Sequence, residues 1–285
     1  MVQRLLIFFI GSPILAAIVL LLPQYNHLAI NILIVLFSAL GAAELSIMLA
    51  QKKINIGKAE SAVLGSLAPL AMLLTVSFQF NSLLLPAIIA VAVSWLLLSN
   101  IISRGDKLNA SISRMTAGLS VLLYPGILMT WIVRMSSLEE NAGIVIMTFL
   151  CVVFGGDSAA WAFGILFGKG NRGVIPVSPN KSVAGFIAGF TVPVVIGLGA
   201  ALLLPRVFVP EQWIIAPVAG SAMGLLTGIT GALGDLGESA IKRSSGLKDS
   251  GSIIPGRGGV LDSIDSVALA APVFYLAFRL FFAQP

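Results

Sequence analysis

The stretch AGIVIMTFLCVVFGGDSAAWAFGILF, residues 142–167, is almost wholly apolar and carries one charged side chain, Asp157. A transmembrane helix needs about 20 mostly apolar residues, so this run is long enough to cross a bilayer. An α-helix is expected because every backbone N–H and C=O group in lipid must find its partner within the segment. The stretch therefore predicts a membrane-spanning helix with one acid inside it.

The rest of the chain repeats this apolar pattern. Apolar residues make up 58% of the sequence and charged residues 10%, and the mean hydropathy is +1.02. Such a composition exceeds what a soluble domain tolerates and indicates a polytopic membrane protein. We therefore expect an all-α fold with about nine transmembrane helices. The apolar runs cover residues 5–22, 28–50, 61–80, 83–99, 115–133, 142–167, 183–204, 213–231 and 267–282.

The basic residues indicate which side faces the cytoplasm. If the N-terminus is cytoplasmic, all but three of the 17 lysines and arginines fall on the cytoplasmic side. The exceptions, Arg134, Arg206 and Arg279, lie near predicted helix ends. This asymmetry follows the positive-inside rule and predicts a cytoplasmic N-terminus. We expect an integral membrane protein of a bacterial inner membrane, with its active site on the cytoplasmic side.

The polar residues divide the chain near residue 140. Residues 1–140 form N-terminal membrane helices to which the sequence assigns no function. Within them, the internal acid Glu44 is expected to have a structural role, at a helix end or between helices, rather than a role toward a substrate. Residues 141–285 carry the chemistry, with cytoplasmic loops expected at 168–182 and 232–266. The chain has one cysteine and one histidine, which argues against a disulfide and against histidine-based catalysis.

Asp157 is the first candidate for a functional role. An ionised side chain at membrane depth is costly unless it is paired, hydrated or metal-bound, so such a residue is a functional candidate by default. Gly155 and Gly156 beside it allow another backbone or a ligand to come close. The alternative is a packing role, in which Asp157 is hydrogen-bonded to a neighbouring helix.

Two pairs of acids follow at helical spacing. Asp235 and Glu238 are three residues apart, as are Asp262 and Asp265, so each pair is expected on one face of a helix. For the second pair, at the start of the last predicted helix, the helix macrodipole is a sufficient explanation by itself. Neither pair alone distinguishes a binding site from an ordinary helix end.

Together, these carboxylates and the basic residues near them are typical of a site for Mg²⁺ and phosphates. Mg²⁺ takes few carboxylates and completes its coordination with water and phosphate oxygens. Gly256, Gly258 and Gly259 would let backbone N–H groups approach an anion. The chain has no Walker A motif and no GxGxxG fingerprint, so neither a P-loop nor a Rossmann site is expected. The cations available to phosphate oxygens are Lys181, Lys242, Arg243, Lys248 and Arg257.

The segment SAIKRSSGLKDSGSIIPGRGGVLDSID, residues 239–265, resembles the signature of the phosphatidate cytidylyltransferases, also called CDP-diglyceride synthases. Its S-x-x-K-R, K-D-x-G, P-x-x-G-G and D-x-x-D elements align with that signature without a gap. Upstream, GGDSAAW at 155–161 is similar to the family's D-[TS]-x-A-[YF], and SPNKSVAG at 178–185 is similar to S-P-x-K-[TS]-x-E-G. The resemblance covers residues from about 150 to 285.

This resemblance implies transfer of the cytidylyl group of CTP to phosphatidic acid, giving CDP-diacylglycerol and pyrophosphate for phospholipid synthesis. It implies Mg²⁺ as the cofactor, contact with membrane lipid, a homodimer, and no nucleic acid partner. The residues it assigns to catalysis are Asp157, Asp235, Asp262 and Lys248. Those it assigns to substrate phosphates are Ser178, Lys181, Lys242, Arg243 and Arg257, and those it assigns to the metal are Asp235, Asp262 and Asp265.

Three positions depart from the family pattern. The family usually has histidine where this chain has Arg257, arginine where it has Ser263, and an acid where it has Ala184. One hypothesis is that Arg257 supplies the positive charge lost at Ser263. The departures leave open a CTP-dependent enzyme for another lipid phosphate and a catalytically silent scaffold. A transporter that uses Asp157 and the other carboxylates as an ion path is a further alternative.

Overall fold

The computed structural model describes residues 2–101, 106–138 and 141–282, without side chains at 2–8, 106 and 107. The domain boundary predicted at residue 140 lies outside these residues. Within them, the regular secondary structure is helical, and β-structure is limited to isolated bridges. The predicted all-α class is confirmed.

Nine long helices make up the described chain. They are α1 (Val2–Leu21), α2 (Gln24–Ala50), α3 (Lys58–Phe78), α4 (Leu84–Leu98), α5 (Ser111–Met135), α6 (Ala142–Phe167), α7 (Val183–Leu203), α8 (Ala216–Ser244) and α9 (Leu261–Phe281). Seven of these are long and apolar enough to cross a membrane, while α4 and the apolar segment Phe9–Leu21 of α1 are shorter. Seven full-length candidates and two shorter apolar helices thus correspond to the nine predicted runs.

Helix α8 is longer than the sequence suggested. The apolar run ends at residue 231, but the helix continues to Ser244. The interpretation of 232–266 as a loop is therefore wrong for its first part, 232–244, and for its last, 261–266, because loss of hydrophobicity does not end a helix. Leu, Ala, Glu, Lys and Arg in the first part are all good helix formers. The acids Asp235 and Glu238 and the base Lys242 consequently project from a helix, and the loop that follows is confined to residues 245–260.

Helix α5 contains a widened turn. Its residues Leu122–Gly126 form a π-helical turn that includes Pro125, and Ile127–Met129 form a 3₁₀ turn. A proline has no N–H to donate and its ring collides with the preceding turn, so a change in helical pitch relieves the conflict. Gly126 brings this turn against α3, since a side-chain carbon there would lie 3.1 Å from the Gly65 carbonyl oxygen.

The chain forms two compact units. Unit 1 contains Met1–Glu139 and Ile241–Ile264, and unit 2 contains Glu140–Ala240 and Asp265–Pro285. Residues 241–264 thus group with the N-terminal helices. The assignment of chemistry to 141–285 remains a functional prediction.

Unit 1 is held by close packing of α2 on α3 and by a buried polar network. A side-chain carbon at Gly65 of α3 would collide with Ala42 of α2, so the two backbones approach closely. Asn31 donates to the Ser136 hydroxyl at 2.9 Å, and Asn26 donates to the Val76 carbonyl at 2.7 Å. Buried polar groups in a membrane helix need such partners, and these bonds fix the helix register.

Unit 2 uses small residues between helices and aromatic side chains toward its C-terminus. Gly197 of α7 and Gly220 of α8 lie so close that a side-chain carbon on either would collide with the other's carbonyl oxygen. Phe149 of α6 packs on Phe274 of α9, with ring centroids 5.2 Å apart. Small residues at helix crossings allow the van der Waals contact that stabilises helices in lipid.

Candidate active site

Asp262, in the first turn of α9, is tied to the loop 245–260. Its Oδ2 accepts hydrogen bonds from the Ser250 N–H at 2.8 Å, the Ser250 hydroxyl at 2.9 Å and the Gly259 N–H at 2.8 Å. Its Oδ1 accepts from the ammonium group of Lys242 at the end of α8. The side chains are only 7% exposed for Asp262 and 10% for Lys242, so the charge pair is well shielded from water.

Glu44 of α2 belongs to the same group of contacts. Its Oε1 accepts from the Val260 N–H at 3.0 Å, and its Oε2 accepts from the Leu261 N–H at 2.8 Å. The Ser250 hydroxyl lies 3.0 Å from the same Oε2. The expected structural role of Glu44 is confirmed by these contacts. We call Glu44, Lys242, Ser250 and Asp262 the Asp262 cluster, and all four lie in unit 1.

The loop 245–260 makes a tight turn over this cluster. The Ile254 N–H donates to the Gly258 carbonyl at 2.8 Å, and Gly258 has a φ of +112°. A side-chain carbon at Gly258 would collide with Oδ2 of Asp262, so the backbone passes directly over the carboxylate. Only glycine satisfies both the positive φ and the lack of space.

The structure leaves several predicted cations of this region exposed. The side chains of Lys248 and Arg257 face solvent, with Arg257 at the tip of the turn. Arg243 is also exposed and donates to the Leu247 carbonyl at 3.2 Å. Exposure leaves all three side chains accessible to a charged ligand. Their binding of phosphate stays a prediction.

A second group of charged residues lies in unit 2. Asp265 is 6% exposed, and Asp157, Asp235 and Glu238 are close enough to act on it electrostatically. Its Oδ1 accepts from the Ser266 N–H at 2.6 Å. A side-chain carbon at Gly234 would collide with the Asp265 carbonyl oxygen, which shows how closely α8 and α9 approach here. We call Asp157, Lys181, Asp235, Glu238 and Asp265 the Asp265 cluster.

Lys181 pairs with Asp235 in this cluster. Its ammonium nitrogen lies 2.6 Å from Oδ2 of Asp235, and it also lies 5.7 Å from the ring centre of Phe186. The preceding turn is closed by Ser178, whose carbonyl accepts the Lys181 N–H at 3.1 Å. Ser178 thus shapes the turn that presents Lys181, through its backbone.

The contacts of Asp157 agree with both interpretations that the sequence allowed, a packing role and a functional role. The Ser266 hydroxyl of α9 donates to Oδ1 of Asp157 at 3.4 Å, which is the interhelical hydrogen bond of the packing alternative. Asp157 also belongs to the electrostatic surroundings of Asp265, as the functional interpretation expects. The two roles are compatible, and the catalytic assignment stays a prediction.

The donor chemistry of the Asp265 cluster suits Mg²⁺. Four carboxylates and one lysine leave an excess of negative charge, and carboxylate oxygens are preferred ligands of this ion. Over residues 2–101, 106–138 and 141–282, no group of three or more His, Cys, Asp or Glu side chains is arranged to hold a metal. Mg²⁺ commonly uses only one or two carboxylates together with substrate phosphates, so Asp235 and Asp265 suffice chemically. Asp262, whose oxygens already accept four hydrogen bonds, stays a predicted ligand.

Comparison with known proteins assigns the chain to a family. The family model described as the Cytidylyltransferase family matches residues 2–281. The chain belongs to this family. The match includes the N-terminal helices, where the signature motifs had carried no information.

Individual curated relatives match over shorter regions. A phosphatidate cytidylyltransferase of Synechocystis sp. is 37% identical over 132 residues, 46% of this chain and 42% of the relative. A phosphatidate cytidylyltransferase of Bacillus subtilis is 34% identical over 165 residues, 56% of each chain. The uncharacterized protein YnbB of Escherichia coli is 37% identical over 152 residues, 52% of this chain and 47% of the relative. The chain spans about half the length of the curated relatives it matches.

The sequence interpretation missed the way Glu44 and Ser250 connect to Asp262. The available signal was an acid inside an apolar helix, at Glu44, and a serine directly after the Lys248–Asp249 pair. Neither residue type at that position specifies its partner. The partner depends on which loop the fold places beside α2.

Proposed function

We propose that the protein transfers the cytidylyl group of CTP to phosphatidic acid, forming CDP-diacylglycerol and releasing pyrophosphate. The observation that carries the proposal is the match to the Cytidylyltransferase family over residues 2–281. Two relatives with 34–37% identity are named for action on phosphatidate, which supports this lipid as the acceptor. The several membrane-spanning helices agree with a substrate that resides in the bilayer.

The reaction is a nucleotidyl transfer. An anionic phosphate oxygen of phosphatidic acid attacks the α-phosphorus of CTP, and a new P–O bond forms. The bond from the α-phosphorus to the oxygen that bridges to the β-phosphate breaks, and pyrophosphate leaves with the electron pair. The attacking oxygen is already deprotonated near neutral pH, so the step needs positioning and charge neutralisation rather than a strong base.

Two lysine–aspartate pairs, one half-buried in unit 2 and one largely buried in unit 1, support this chemistry. Lys181 is held by Asp235 in unit 2, and Lys242 is held by Asp262 in unit 1. Each aspartate fixes an ammonium group in place before the substrate arrives, which lowers the cost of organising the site during the reaction. In either unit, a triphosphate carries more negative charge than a single carboxylate and would compete for such an ammonium group.

Mg²⁺ is the proposed cofactor, and it would supply charge neutralisation on the phosphates of CTP. Asp235 and Asp265 of unit 2 are the carboxylates whose surroundings suit it best. We further propose that the protein works in a bacterial inner membrane with its site on the cytoplasmic side, where CTP is available. A homodimer is proposed on the family resemblance alone.

The test uses full-length protein reconstituted in lipid vesicles with phosphatidic acid, Mg²⁺ and CTP. CTP labelled at the α-phosphorus should transfer its label to the lipid, and CTP labelled at the γ-phosphorus should release it as pyrophosphate. Omission of Mg²⁺ tests the cofactor in the same assay. Absence of lipid label with active substrate controls would contradict the proposal.

A second acceptor is tested in parallel because Arg257, Ser263 and Ala184 differ from the family pattern. Polyprenol phosphate replaces phosphatidic acid in an otherwise identical reaction. Label in that lipid alone would favour a CTP-dependent enzyme for another lipid phosphate. Label in neither lipid would favour the scaffold or transporter interpretations.

A further inference from the structure

Glu44 is an unusual residue for its position. It lies in α2, an apolar helix long enough to span a membrane, and it is 3% exposed. A buried carboxylate in such a helix is costly unless several donors satisfy it. Both of its oxygens are in fact occupied by donors from the region 250–261.

Two of these donors belong to the start of α9. The N–H groups of Val260 and Leu261 are 216 and 217 positions from Glu44 in sequence. The first N–H groups of a helix have no partner within it, and a nearby serine, threonine or acid usually provides one. Here a distant carboxylate supplies the acceptor, so Glu44 anchors the first turn of α9, in which Asp262 lies.

The third donor connects Glu44 to Asp262. The Ser250 hydroxyl oxygen lies 3.0 Å from Oε2 of Glu44 and 2.9 Å from Oδ2 of Asp262, and it accepts the Asp262 N–H at 3.2 Å. A hydroxyl has one proton, so it donates to one carboxylate at a time while it bridges both. Displacement of Glu44 would therefore directly alter the hydrogen bonds of Ser250 and, through them, those of Asp262.

The loop backbone is shaped around the Glu44 carboxylate. A side-chain carbon at Gly251 would lie 2.5 Å from Oε1, and one at Gly259 would collide with Oε2 and with the Ser250 hydroxyl. Glycine at both positions lets the backbone approach the carboxylate from two sides.

We propose that Glu44 is a positioning residue, which holds the loop 245–260 and the first turn of α9 so that the Asp262 carboxylate meets Lys242. Its catalytic consequence rests on the proposed function. The positioning itself is a statement about contacts within unit 1 and is measurable without turnover.

Glu44→Gln is the most direct variant. Glutamine keeps the size of the side chain but has one acceptor oxygen, and its NH₂ group donates. It therefore cannot accept from both Val260 and Leu261 through separate oxygens, and one buried N–H loses its partner. We expect kcat to fall roughly 10- to 100-fold, in the range found when groups that orient a catalytic residue are removed. Glu44→Asp keeps both acceptors and should recover part of the lost kcat.

Hydrogen–deuterium exchange of the full-length protein in detergent separates a local effect from global destabilisation, which would speed exchange throughout the protein. Glu44→Gln should speed exchange in the peptides that cover 245–262 and leave the peptides of α7 unchanged. The matched control is Glu60→Gln, since Glu60 of the same unit accepts from Arg114 and from Trp95. The control should keep kcat within about twofold and leave exchange at 245–262 unchanged, since it lacks contacts with the Asp262 cluster.

A second variant covers the case in which Glu44→Gln fails to fold. Ser250→Ala keeps Glu44 and removes only the bridge to Asp262, so it should lower kcat and speed exchange in the same peptides to a smaller extent. Wild-type exchange at 245–262 in the variants that fold would overturn the positioning role of Glu44. Faster exchange with unchanged kcat would overturn its catalytic consequence. If wild-type protein transfers no label from CTP, the proposed function fails, and the exchange experiment still decides whether Glu44 positions the loop.

Discussion

Lys242 and Asp262 form an ion pair that joins the end of α8 to the start of α9, twenty residues later. The carboxylate also accepts two backbone N–H groups and a hydroxyl, so both of its oxygens are occupied. A shielded pair of this kind holds an ammonium group in one place, which is what recognition of a phosphate requires.

Asp262→Asn should nearly abolish transfer from CTP to lipid while membrane insertion remains intact. The amide removes the carboxylate charge paired with the buried ammonium group of Lys242, at a cost of roughly 3 kcal/mol or more in stability. Turnover with labelled CTP and the thermal midpoint in detergent measure the two effects. Glu60→Gln is the control acid of the same unit. Full activity in Asp262→Asn would mean that Asp262 is neither a metal ligand nor the residue that positions Lys242 for catalysis.

Gly258→Ala should lower turnover by about 10-fold or more, because its side-chain carbon would push against the Asp262 carboxylate. Gly246→Ala is a matched control in the same loop. Gly246 also has a positive φ, of +74°, but nothing lies within 4 Å of the added carbon. Both variants carry the backbone strain of a positive φ, about 1–3 kcal/mol, and only the first displaces Asp262. Equal activities of the two variants would show that the crowding at Asp262 has no catalytic effect.

Gly234→Ala should destabilise the protein by about 1–3 kcal/mol, as overpacking of a close helix contact does. The added carbon would collide with the Asp265 carbonyl oxygen, so α8 and α9 would have to separate. Gly237→Ala, one turn later on the same helix, meets nothing within 4 Å and should be neutral or stabilising by about 0.5–1 kcal/mol. Thermal midpoints of the two variants in the same detergent test the difference, and a stable Gly234→Ala would contradict the close approach.

Lys181→Ala should lower kcat/KM for CTP by roughly 10- to 100-fold, because Asp235 would lose its cation and the phosphates would lose a donor. Lys181→Arg keeps the charge and should retain part of the activity. The double variant Lys181→Ala with Asp235→Asn shows whether the residues act as a pair, since its loss should be smaller than the product of the two single losses. Fully multiplicative losses would mean that the 2.6 Å ion pair has no functional coupling.

Arg257→Ala tests the departures from the family pattern. Arg257 is exposed at the tip of the turn 254–258, and Ser263 is half-buried on α9 with its hydroxyl 3.4 Å from the Gly259 carbonyl. If Arg257 replaces the charge that the family carries at Ser263, Arg257→Ala should lose activity and added Ser263→Arg should recover some of it. No recovery in the double variant would reject the exchange of charge between these positions.

The sequence by itself determined the helical membrane class, the nine apolar runs and the residues of the charged motifs. Hydrophobic length and charge asymmetry are local properties, so they are visible without the fold. The sequence placed the end of α8 at residue 231, where the apolar run stops. Polarity indicates where the chain leaves the bilayer, but helix propensity decides where the helix ends, and α8 continues thirteen residues further to Ser244.

Only the tertiary structure decided which of these charges meet. Asp262 and Asp265 look equivalent in sequence, yet one accepts from Lys242, Ser250 and Gly259 while the other lies among acids in unit 2. Glu44 contributes a carboxylate more than two hundred positions from its donors. Contacts at such separation depend on how the helices pack and on glycines that let two backbones come close. The residues next to Glu44 or Asp262 in the sequence do not specify these contacts.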